Sequence, residues 1–322
     1  MNLIDVGGES APVHLFVRGF GAGPPLLLIH GLGSSGDDWA FQLPDWAQHF
    51  RLIVPDLRGC GRSDRPAGDY SIAGFATDLF SLLDRLAIER CAVVGFSMGG
   101  AVALEMALQH PQRIQRLVTI NSLPSYRVDH WRKAMEYHVQ MLLVRLLGMR
   151  RTAALIAKRL FPRPEQQAMR ERVVAVVGNS SPQPYLRCAR ALADWCAAER
   201  LPLLQSPLLM LCGEHDYTGL DEKRRWAQQM AAELRVVTGS RHGTPFDAIR
   251  ATNQSIRNFL LGRAVAERLH ADSADQVPRD PPVWPPEVPL VTVDAGLSTA
   301  EIRPAALAQP RPRPDETVPR SA

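Results

Sequence analysis

A chain of 322 residues, 46% apolar and 22% charged, is long enough to bury one large α/β core and to carry an insertion. It contains no run of eighteen apolar residues and starts with neither a basic nor an apolar segment, so we expect no membrane-spanning helix and no signal peptide. The net charge is +4, and the five cysteines form no metal-ligand pattern, which favours reduced thiols in the cytoplasm.

Three predicted strands open the chain, and the third ends in a glycine-rich loop. Residues 3–6 and 13–18 predict an antiparallel pair. The apolar run at residues 26–29 is too short for a helix and predicts a central strand. Residues 30–33, His-Gly-Leu-Gly, lie where an oxyanion-binding loop is expected, and we interpret His30 as a structural hydrogen-bonding residue rather than a base.

A charged loop separates the next strand from the first crossover helix. Residues 52–55 predict a buried strand, and residues 56–64 are rich in Asp, Arg and Gly. This loop lacks the Lys-Ser/Thr ending of a phosphate-binding loop, so a nucleotide site is disfavoured. We also expect no nucleic-acid partner. Apolar residues then recur at helical spacing over residues 71–86, with Ser71 as the expected N-cap.

The segment around Ser97 changes from strand to helix within a few residues. Residues 91–94 are apolar throughout, as in a strand covered on both faces, and residues 101–109 predict a helix. Ser97 lies between them in the pattern Gly-x-Ser-x-Gly, which predicts a strained nucleophile elbow. The backbone N–H groups of Met98 and Leu32 are the expected oxyanion donors.

Three motifs taken together resemble one superfamily. Residues 30–33, 56–63 and 95–100 are similar, in order and spacing, to the α/β-hydrolase superfamily, in its branch of cap-bearing serine hydrolases such as carboxylesterases and enol-lactonases. The resemblance covers about residues 10–262. It implies an α/β-hydrolase fold: a mostly parallel, twisted sheet flanked by helices, with a helical cap inserted after the sixth strand.

The resemblance also implies an acid after a later strand and a histidine after the last one. Asp216 and His242 stand at these two places, so that Ser97, Asp216 and His242 follow the superfamily's chain order. In this assignment Asp216 orients His242, and His242 takes the proton from Ser97. Glu214 is the alternative acid. The later strands are predicted at residues 117–120, 206–212 and 234–237.

Residues 122–200 predict the helical cap, since a connection of this length must carry its own structure. We expect its apolar stripe to pack on the core, with an acyl pocket or a peripheral membrane contact as the alternatives. Its 14 Lys and Arg against 6 Asp and Glu favour an anionic or carrier-bound acyl substrate, or else a solvated basic surface. The stripe comprises Met135, Val139, Leu142, Leu143, Leu146 and Leu147. Helices are predicted at residues 130–147, 151–161, 165–177 and 185–200.

Residues 263–322 differ in composition from the rest and hold 11 of the 26 prolines. We expect an extended, disordered C-terminal extension here, in which Trp284 is a weak candidate for docking onto the body and the less proline-rich residues 290–303 are candidates for ordering on contact. The hydrolase core is then expected at residues 1–121 and 201–262.

These features predict a serine hydrolase that cleaves a carboxylic ester or related acyl bond of a small molecule through an acyl-enzyme, with no metal and no organic cofactor. A thioester, a lactone or a carbon–carbon bond is the alternative substrate for the same triad. The resembled carbon–carbon hydrolases often carry Asn just before the serine, where this chain has Phe96. The remaining alternative is a receptor that binds ligands in the pocket without turning them over.

Overall fold

A nine-stranded sheet forms the centre of the structure, a computed structural model that describes residues 2–8, 12–273, 278 and 282–292. Its strands follow the order β1-β2-β4-β3-β5-β6-β7-β8-β9. Within the described residues, β1 pairs with β2 and β2 with β4 in antiparallel orientation, and all other pairings are parallel. The predicted antiparallel opening and mostly parallel sheet are confirmed. The strands are β1 (Leu3–Asp5), β2 (His14–Phe20), β3 (Pro25–Ile29), β4 (Arg51–Pro55), β5 (Cys91–Phe96), β6 (Ile114–Ile120), β7 (Leu208–Gly213), β8 (Glu233–Thr238) and β9 (Leu269–His270).

Helices cover both faces of the sheet because strand side chains alternate between two apolar clusters. In β3, Leu27 packs with the cluster that contains α2 and α3, whereas Leu26 packs with the cluster that contains α1 and α9. Each fully buried leucine of this kind contributes about 1.5–3 kcal/mol. The helices are α1 (Leu43–Trp46), α2 (Ile72–Arg85), α3 (Met98–Gln109), α4 (Trp131–Leu160), α5 (Gln167–Val177), α6 (Pro182–Ala193), α7 (Leu220–Gln229), α8 (Thr244–Asp247) and α9 (Ile249–Leu260).

The predicted crossover helix before the elbow strand is α2. Ser71 has extended backbone angles, and its Oγ accepts a hydrogen bond of 2.9 Å from the Gly74 N–H. This bond satisfies one of the free donors at the helix N-terminus, as expected of an N-cap. No helix within the described parts of the chain is long and apolar enough to cross a membrane.

Helices α4, α5 and α6 lie between β6 and β7, which confirms a helical insertion after the sixth strand. Gly148 interrupts α4 with φ 72° and ψ 171°, close to the predicted break between the first two cap helices. The predicted fourth helix was misplaced: α6 starts at Pro182, which suits a first helical turn, and ends at Ala193 rather than at residue 200.

The chain leaves α6 early because Glu105 of α3 anchors the segment that follows. The Trp195 indole N–H donates to Glu105 Oε2 over 2.8 Å, and both Arg200 nitrogens donate to the same carboxylate over 2.7 and 3.0 Å. Burial raises the pKa of Glu105, but hydrogen bonds from Arg200 and Trp195 outweigh burial and leave this pKa below its usual value. A forked arginine–carboxylate pair therefore fastens the returning chain to the helix that follows Ser97.

The apolar stripe of α4 does not pack on the core, contrary to the expectation. Met135, Val139, Leu142 and Leu146 are all at least half exposed. The opposite face of the helix is the buried one, and it presents Met141, Val144 and Tyr137 to a small apolar cluster with α6. Periodicity predicted the helix correctly but did not determine which of its two apolar faces is covered.

The first part of the C-terminal extension is structured, which corrects the expectation of disorder there. Residues Leu269–His270 form β9, which pairs in parallel with Val237 and Thr238 of β8. Leu269 and Val265 are buried in the apolar cluster on the α9 face of the sheet. Residues 263–273 contain no proline, so every backbone N–H of this segment is available for pairing with an edge strand.

A second part of the extension docks near β2. The Trp284 ring meets Phe20 edge-on with centroids 6.0 Å apart, and the Arg18 guanidinium lies 4.3 Å from the Trp284 centroid. The Val288 N–H donates to the Gly19 carbonyl over 2.9 Å. Trp284, which the sequence marked only weakly as a docking residue, therefore packs against the body of the protein. The predicted disorder of residues 293–322 falls outside the described residues.

Candidate active site

Three loops meet at one edge of the sheet because parallel strands end on the same side. Ser97 follows β5, Asp216 follows β7 and His242 follows β8, and these strands are near neighbours in the sheet. All three side chains are more than 90% buried. The structure therefore brings the three residues predicted from sequence into one site.

Ser97 occupies a strained turn between β5 and α3. Its φ is 53° and its ψ is −117°, in a region that residues with a side chain rarely adopt. A Cβ at Gly95 would lie 2.2 Å from the Gly99 carbonyl oxygen, and one at Gly99 would lie 2.2 Å from the Ile29 oxygen. Both glycines are therefore required for the tight turn that places the serine at the N-terminus of α3.

The three side chains form a continuous hydrogen-bonded row. His242 Nε2 lies 3.0 Å from Ser97 Oγ, and His242 Nδ1 lies 2.8 Å from Asp216 Oδ1. An ionised carboxylate only accepts, so Nδ1 carries the proton and Nε2 is free to accept one from the serine. This tautomer is the one that a general base requires.

Residues other than His242 also stabilise the ionised, buried form of Asp216. Its Oδ2 forms an ion pair with Lys223 of α7 and accepts a hydrogen bond of 2.7 Å from Thr218 Oγ1. Burial alone would raise the pKa of Asp216, but His242 and Lys223 more than compensate and hold this pKa well below its usual range. Lys223 is itself completely buried, and no sequence signal distinguished it within a run of charged residues.

Asn121, the first residue after β6, joins the two loops that carry the acid and the base. Its Nδ2 donates to the His242 carbonyl over 2.6 Å and to Thr244 Oγ1 over 2.7 Å, and its Oδ1 accepts from the Gly213 N–H over 2.8 Å. Its φ of 48° is tolerated by Asn more readily than by most residues. In the sequence, the one sign of this role is that an Asn directly follows the strand predicted at residues 117–120, and Asn121 was not predicted as a site residue.

The two predicted oxyanion donors, Leu32 and Met98, belong to the two segments next to Ser97. Leu32 lines the same cavity as Ser97, and Met98 begins α3, where a helix N–H has no intrahelical acceptor. Neither N–H has an acceptor within the described residues. Gly31 lies close enough to Ser97 that a Cβ on it would be 3.6 Å from the serine Cβ.

The loop of residues 30–33 is fixed from behind by buried polar groups. His30 Nδ1 bonds to the Gly31 carbonyl over 2.8 Å and His30 Nε2 accepts from the Leu57 N–H over 3.0 Å, so this histidine is structural, as interpreted from sequence. Asp38 Oδ2 accepts from the Gly31 N–H over 3.1 Å, and its Oδ1 accepts from Ser34. Burial raises the pKa of Asp38, and His30, the hydrogen bonds from Ser34 and Gly31, and lastly Arg172 of α5 oppose this rise.

Tyr217 shares the base with the serine. Its hydroxyl lies 2.9 Å from His242 Nε2, and its ring lies 4.2 Å from the imidazole centroid at an angle of 33°. The side chain is half exposed, so it stands between the imidazole and the space under the cap. Tyr217 directly follows the predicted acid Asp216, but nothing in the sequence indicated its contact with His242.

A cavity of about 660 Å³ opens beside Ser97 and His242. Apolar side chains from α4, α5 and α6 form much of its wall, including Leu143, Val173 and Ala189. The size and lining are typical of a site for a small organic molecule. No group of three metal-ligating side chains occurs in the part of the chain that the structure describes.

Three cations line this cavity, and two of them have partners. Lys133 pairs with Asp129 over 3.2 Å. Arg172 donates to the Asp37 carbonyl over 2.9 Å. The Arg159 guanidinium lies 5.6 Å from the Tyr217 ring centroid and forms no ion pair with a described residue.

A buried serine–histidine–aspartate row at the carboxyl edge of a mostly parallel sheet, under inserted helices, defines the α/β-hydrolase class of fold and site. A sequence model of the alpha/beta hydrolase fold family matches residues 24–248. The chain belongs to this family.

Relatives and solved structures agree with this assignment. A proposed carbamate hydrolase, RutD, of Caulobacter sp. (strain K31) is 31% identical over 249 residues, which cover 74% of this chain and 91% of that protein. An uncharacterized protein of Mycobacterium tuberculosis is 44% identical over 113 residues, but these cover 34% of this chain and only 33% of that protein. The matched segment thus spans about a third of the length of the mycobacterial relatives.

Two solved structures are similar over most of the chain. The enol-lactonase from Burkholderia xenovorans LB400 has a TM-score of 0.71 and 25% identity, covering 77% of this chain and 97% of that one. A thermophilic esterase from Thermogutta terrifontis has a TM-score of 0.72 and 25% identity, covering 81% of this chain and 97% of that one. These comparisons support a hydrolase, and the bonds that the similar proteins are named for differ.

Proposed function

We propose that the protein is a serine hydrolase that cleaves a carboxylic ester through a Ser97–His242–Asp216 triad. The observation that carries the proposal is the unbroken row of hydrogen bonds from Asp216 through His242 to Ser97. A serine in that row has a base within proton-transfer distance, and the base has a fixed tautomer.

The first half of the proposed reaction forms an acyl-enzyme. His242 Nε2 takes the proton of Ser97 Oγ while the oxygen attacks the ester carbonyl. The negative charge that develops on the carbonyl oxygen is held by the N–H groups of Leu32 and Met98, and each such donor is worth about 2.7–4 kcal/mol of barrier. The protonated His242 then gives the proton to the leaving alkoxide, which departs as an alcohol.

The second half regenerates the serine. Water gives a proton to His242 as its oxygen attacks the acyl carbonyl, and the same two N–H groups hold the second tetrahedral charge. The proton then returns to Ser97 Oγ, and the carboxylic acid leaves. No metal or organic cofactor enters this scheme.

The unpaired guanidinium of Arg159 supports an anionic acyl substrate. It lies at the cavity wall, beside the Tyr217 ring that in turn stacks on His242. The Arg159 guanidinium could donate charge-assisted hydrogen bonds to a carboxylate of the substrate or to the phosphate of a carrier group. The net charge of +8 over residues 122–200 acts in the same direction at longer range.

The same triad would serve a lactone, a thioester or a carbon–carbon bond, and the likeness to an enol-lactonase favours the lactone as the second candidate. In this scheme residues 1–121 and 201–262 are the catalytic core, residues 122–200 the cap and residues 263–322 an extension. Five free cysteines support a reducing, cytoplasmic location.

Hydrolysis of 4-nitrophenyl esters from acetate to dodecanoate tests the proposal. We expect turnover with an optimum at one chain length, and a loss of about 10⁴-fold or more in Ser97→Ala. Ser81→Ala, in α2 and outside the cavity, is the matched control and should keep full activity. A fluorophosphonate should label the wild type at Ser97 in a one-to-one ratio. Ligand binding without labelling or turnover would favour the receptor, and turnover that survives in Ser97→Ala would refute the triad.

A further inference from the structure

An exposed apolar stripe runs along the first part of α4. We define the α4 stripe as Trp131, Met135, Val139, Leu142 and Leu146, whose exposed fractions are 65%, 55%, 50%, 52% and 71%. Their spacing of four, four, three and four residues keeps all five within an arc of roughly 80° on the helix. Single exposed apolar residues are ordinary, but a continuous stripe of five large ones marks an interaction surface.

The α4 stripe is not a face that a small rotation of the helix could bury. Met141 and Val144 on the opposite side are already 6% and 1% exposed, and they pack with Tyr185 and Ala189 of α6. Burying the α4 stripe on this protein's own core would expose those residues instead. The helix therefore has two apolar faces, and the one that contains Met141 and Val144 is packed against α6.

Basic residues surround the α4 stripe. From residue 131 to residue 160 the sequence has seven Lys and Arg but a single acid, Glu136. Arg145, Arg150 and Arg151 are exposed at the end of the stripe, and none of them forms an ion pair with a described residue. Arg145 belongs to the same helical segment as the stripe, and Arg150 and Arg151 follow the break at Gly148. An apolar stripe with such cations close by is typical of segments that lie in the interfacial region of a bilayer.

We propose that the α4 stripe docks the protein on the surface of an anionic phospholipid bilayer. The apolar side chains would enter the boundary between headgroups and acyl chains, and the arginines would contact lipid phosphates. A second copy of this chain is a poorer occupant, because pairing two such helices would bring two strongly basic faces together.

The proposal places the cavity next to the bilayer. Val139 belongs to the α4 stripe and also lines the cavity that contains Ser97 and His242. The rim of the cavity would therefore face the interface, where acyl-bearing molecules are concentrated. Docking itself does not depend on the proposed esterase activity, so each can fail without the other.

Sedimentation with unilamellar vesicles tests the docking. The vesicles consist of phosphatidylglycerol and phosphatidylcholine in equal parts, with pure phosphatidylcholine as the neutral comparison. We expect the full chain to bind the anionic vesicles, and about 1 M salt to weaken binding because it shortens the Debye length to about 3 Å. Leu142→Ser with Leu146→Ser should lower the partition coefficient at least about tenfold, since two leucines no longer enter the apolar layer.

Matched variants separate docking from misfolding and from general charge effects. Leu203→Ser removes a leucine of similar exposure outside α4 and should bind as the wild type does. Arg145→Glu with Arg151→Glu should abolish binding to anionic vesicles, whereas Arg90→Glu, before β5 at the opposite end of the strands from Ser97, should have little effect. Circular dichroism and the thermal midpoint report whether each variant is folded.

Two results would overturn the proposal. The first is equal binding to both kinds of vesicle, or to neither. The second is a stable dimer, detected by light scattering, that the Leu142 and Leu146 substitutions dissociate, because the α4 stripe would then be an interface between copies of this chain.

Discussion

Replacing Lys223 by Met removes a buried charge and keeps most of the aliphatic side chain. Lys223 is completely buried, and its ammonium group pairs with Asp216 Oδ2 behind the histidine. Without it, that oxygen keeps only the hydrogen bond from Thr218, at 2.7 Å. The carboxylate would then be buried beside His242 without the compensating charge of Lys223.

The expected cost is large because one member of a buried ion pair is removed. Breaking such a pair typically costs about 3–5 kcal/mol, since the remaining charge stays buried without its partner. The pKa of Asp216 should also rise towards its ordinary value. A carboxyl group with a depressed folded-state pKa contributes stability above its unfolded pKa of about 3.9, and loses it as the pH falls. That contribution should therefore shrink in Lys223→Met at neutral pH.

Urea unfolding at pH 7 measures this cost, and Arg224→Met is the control. Arg224 is the next residue of the same helix and pairs with Asp221 at the surface over 3.0 Å. Exposed pairs of this kind are worth about 0.2–1 kcal/mol. If the two variants lost equal stability, the Lys223–Asp216 pair would not stabilise the fold and the reasoning from burial would be refuted.

Three further predictions concern buried carboxyl groups and the cavity. Burial raises the pKa of Asp247 to about 6, so wild-type stability should fall by about 2 kcal/mol as the pH rises from about 4 to 6, and Asp247→Asn should lack this slope in unfolding curves. Groups that titrate equally in both proteins cancel when the wild type is compared with Asp247→Asn. If stability depended on pH in the same way in both proteins, the raised pKa of Asp247 would be contradicted. Arg159→Met should lower kcat/KM for a 4-nitrophenyl half-ester of a dicarboxylic acid about tenfold relative to a neutral ester of equal length. Lys133→Met should leave the ratio of the two kcat/KM values unchanged, because Lys133 already pairs with Asp129. If this ratio were also unchanged in Arg159→Met, Arg159 would not bind the substrate's carboxylate. Asp38→Asn should reduce kcat about tenfold with little change in KM. The Gly31 N–H loses its carboxylate acceptor, and the neighbouring Leu32 N–H is then held less firmly in place. A variant with the full kcat would show that Asp38 does not position this loop.

The elements that the sequence predicted are those set by local rules. The strand before Ser97 and the helix after it follow from composition and period within about fifteen residues, and the glycines at positions 95 and 99 have a steric reason. Helix α2 likewise starts at its predicted Ser71 cap. Such features need no knowledge of distant parts of the chain.

What the sequence could not predict depends on contacts between distant segments. Lys223 sits among Asp221, Glu222 and Arg224 in a run that is typical of a solvated helix face, and only the approach of α7 to the loop after β7 turns it inward. Contacts with a distant segment also decide which side of α4 is exposed. Its two apolar faces are equally periodic, and the position of α6 decides which one is covered.

The C-terminal extension touches both sides of the sheet. Leu269–His270 pairs with β8 at one side, and Val288 bonds to Gly19 of β2 near the other. A chain truncated after residue 262, where the resemblance to other hydrolases ends, would keep the pairing of β8 with β7 but would uncover the outer edge of β8 at Val237 and Thr238. Unprotected strand edges of this kind recruit strands from other molecules. Residues outside the hydrolase core would then decide whether the purified core stays monodisperse.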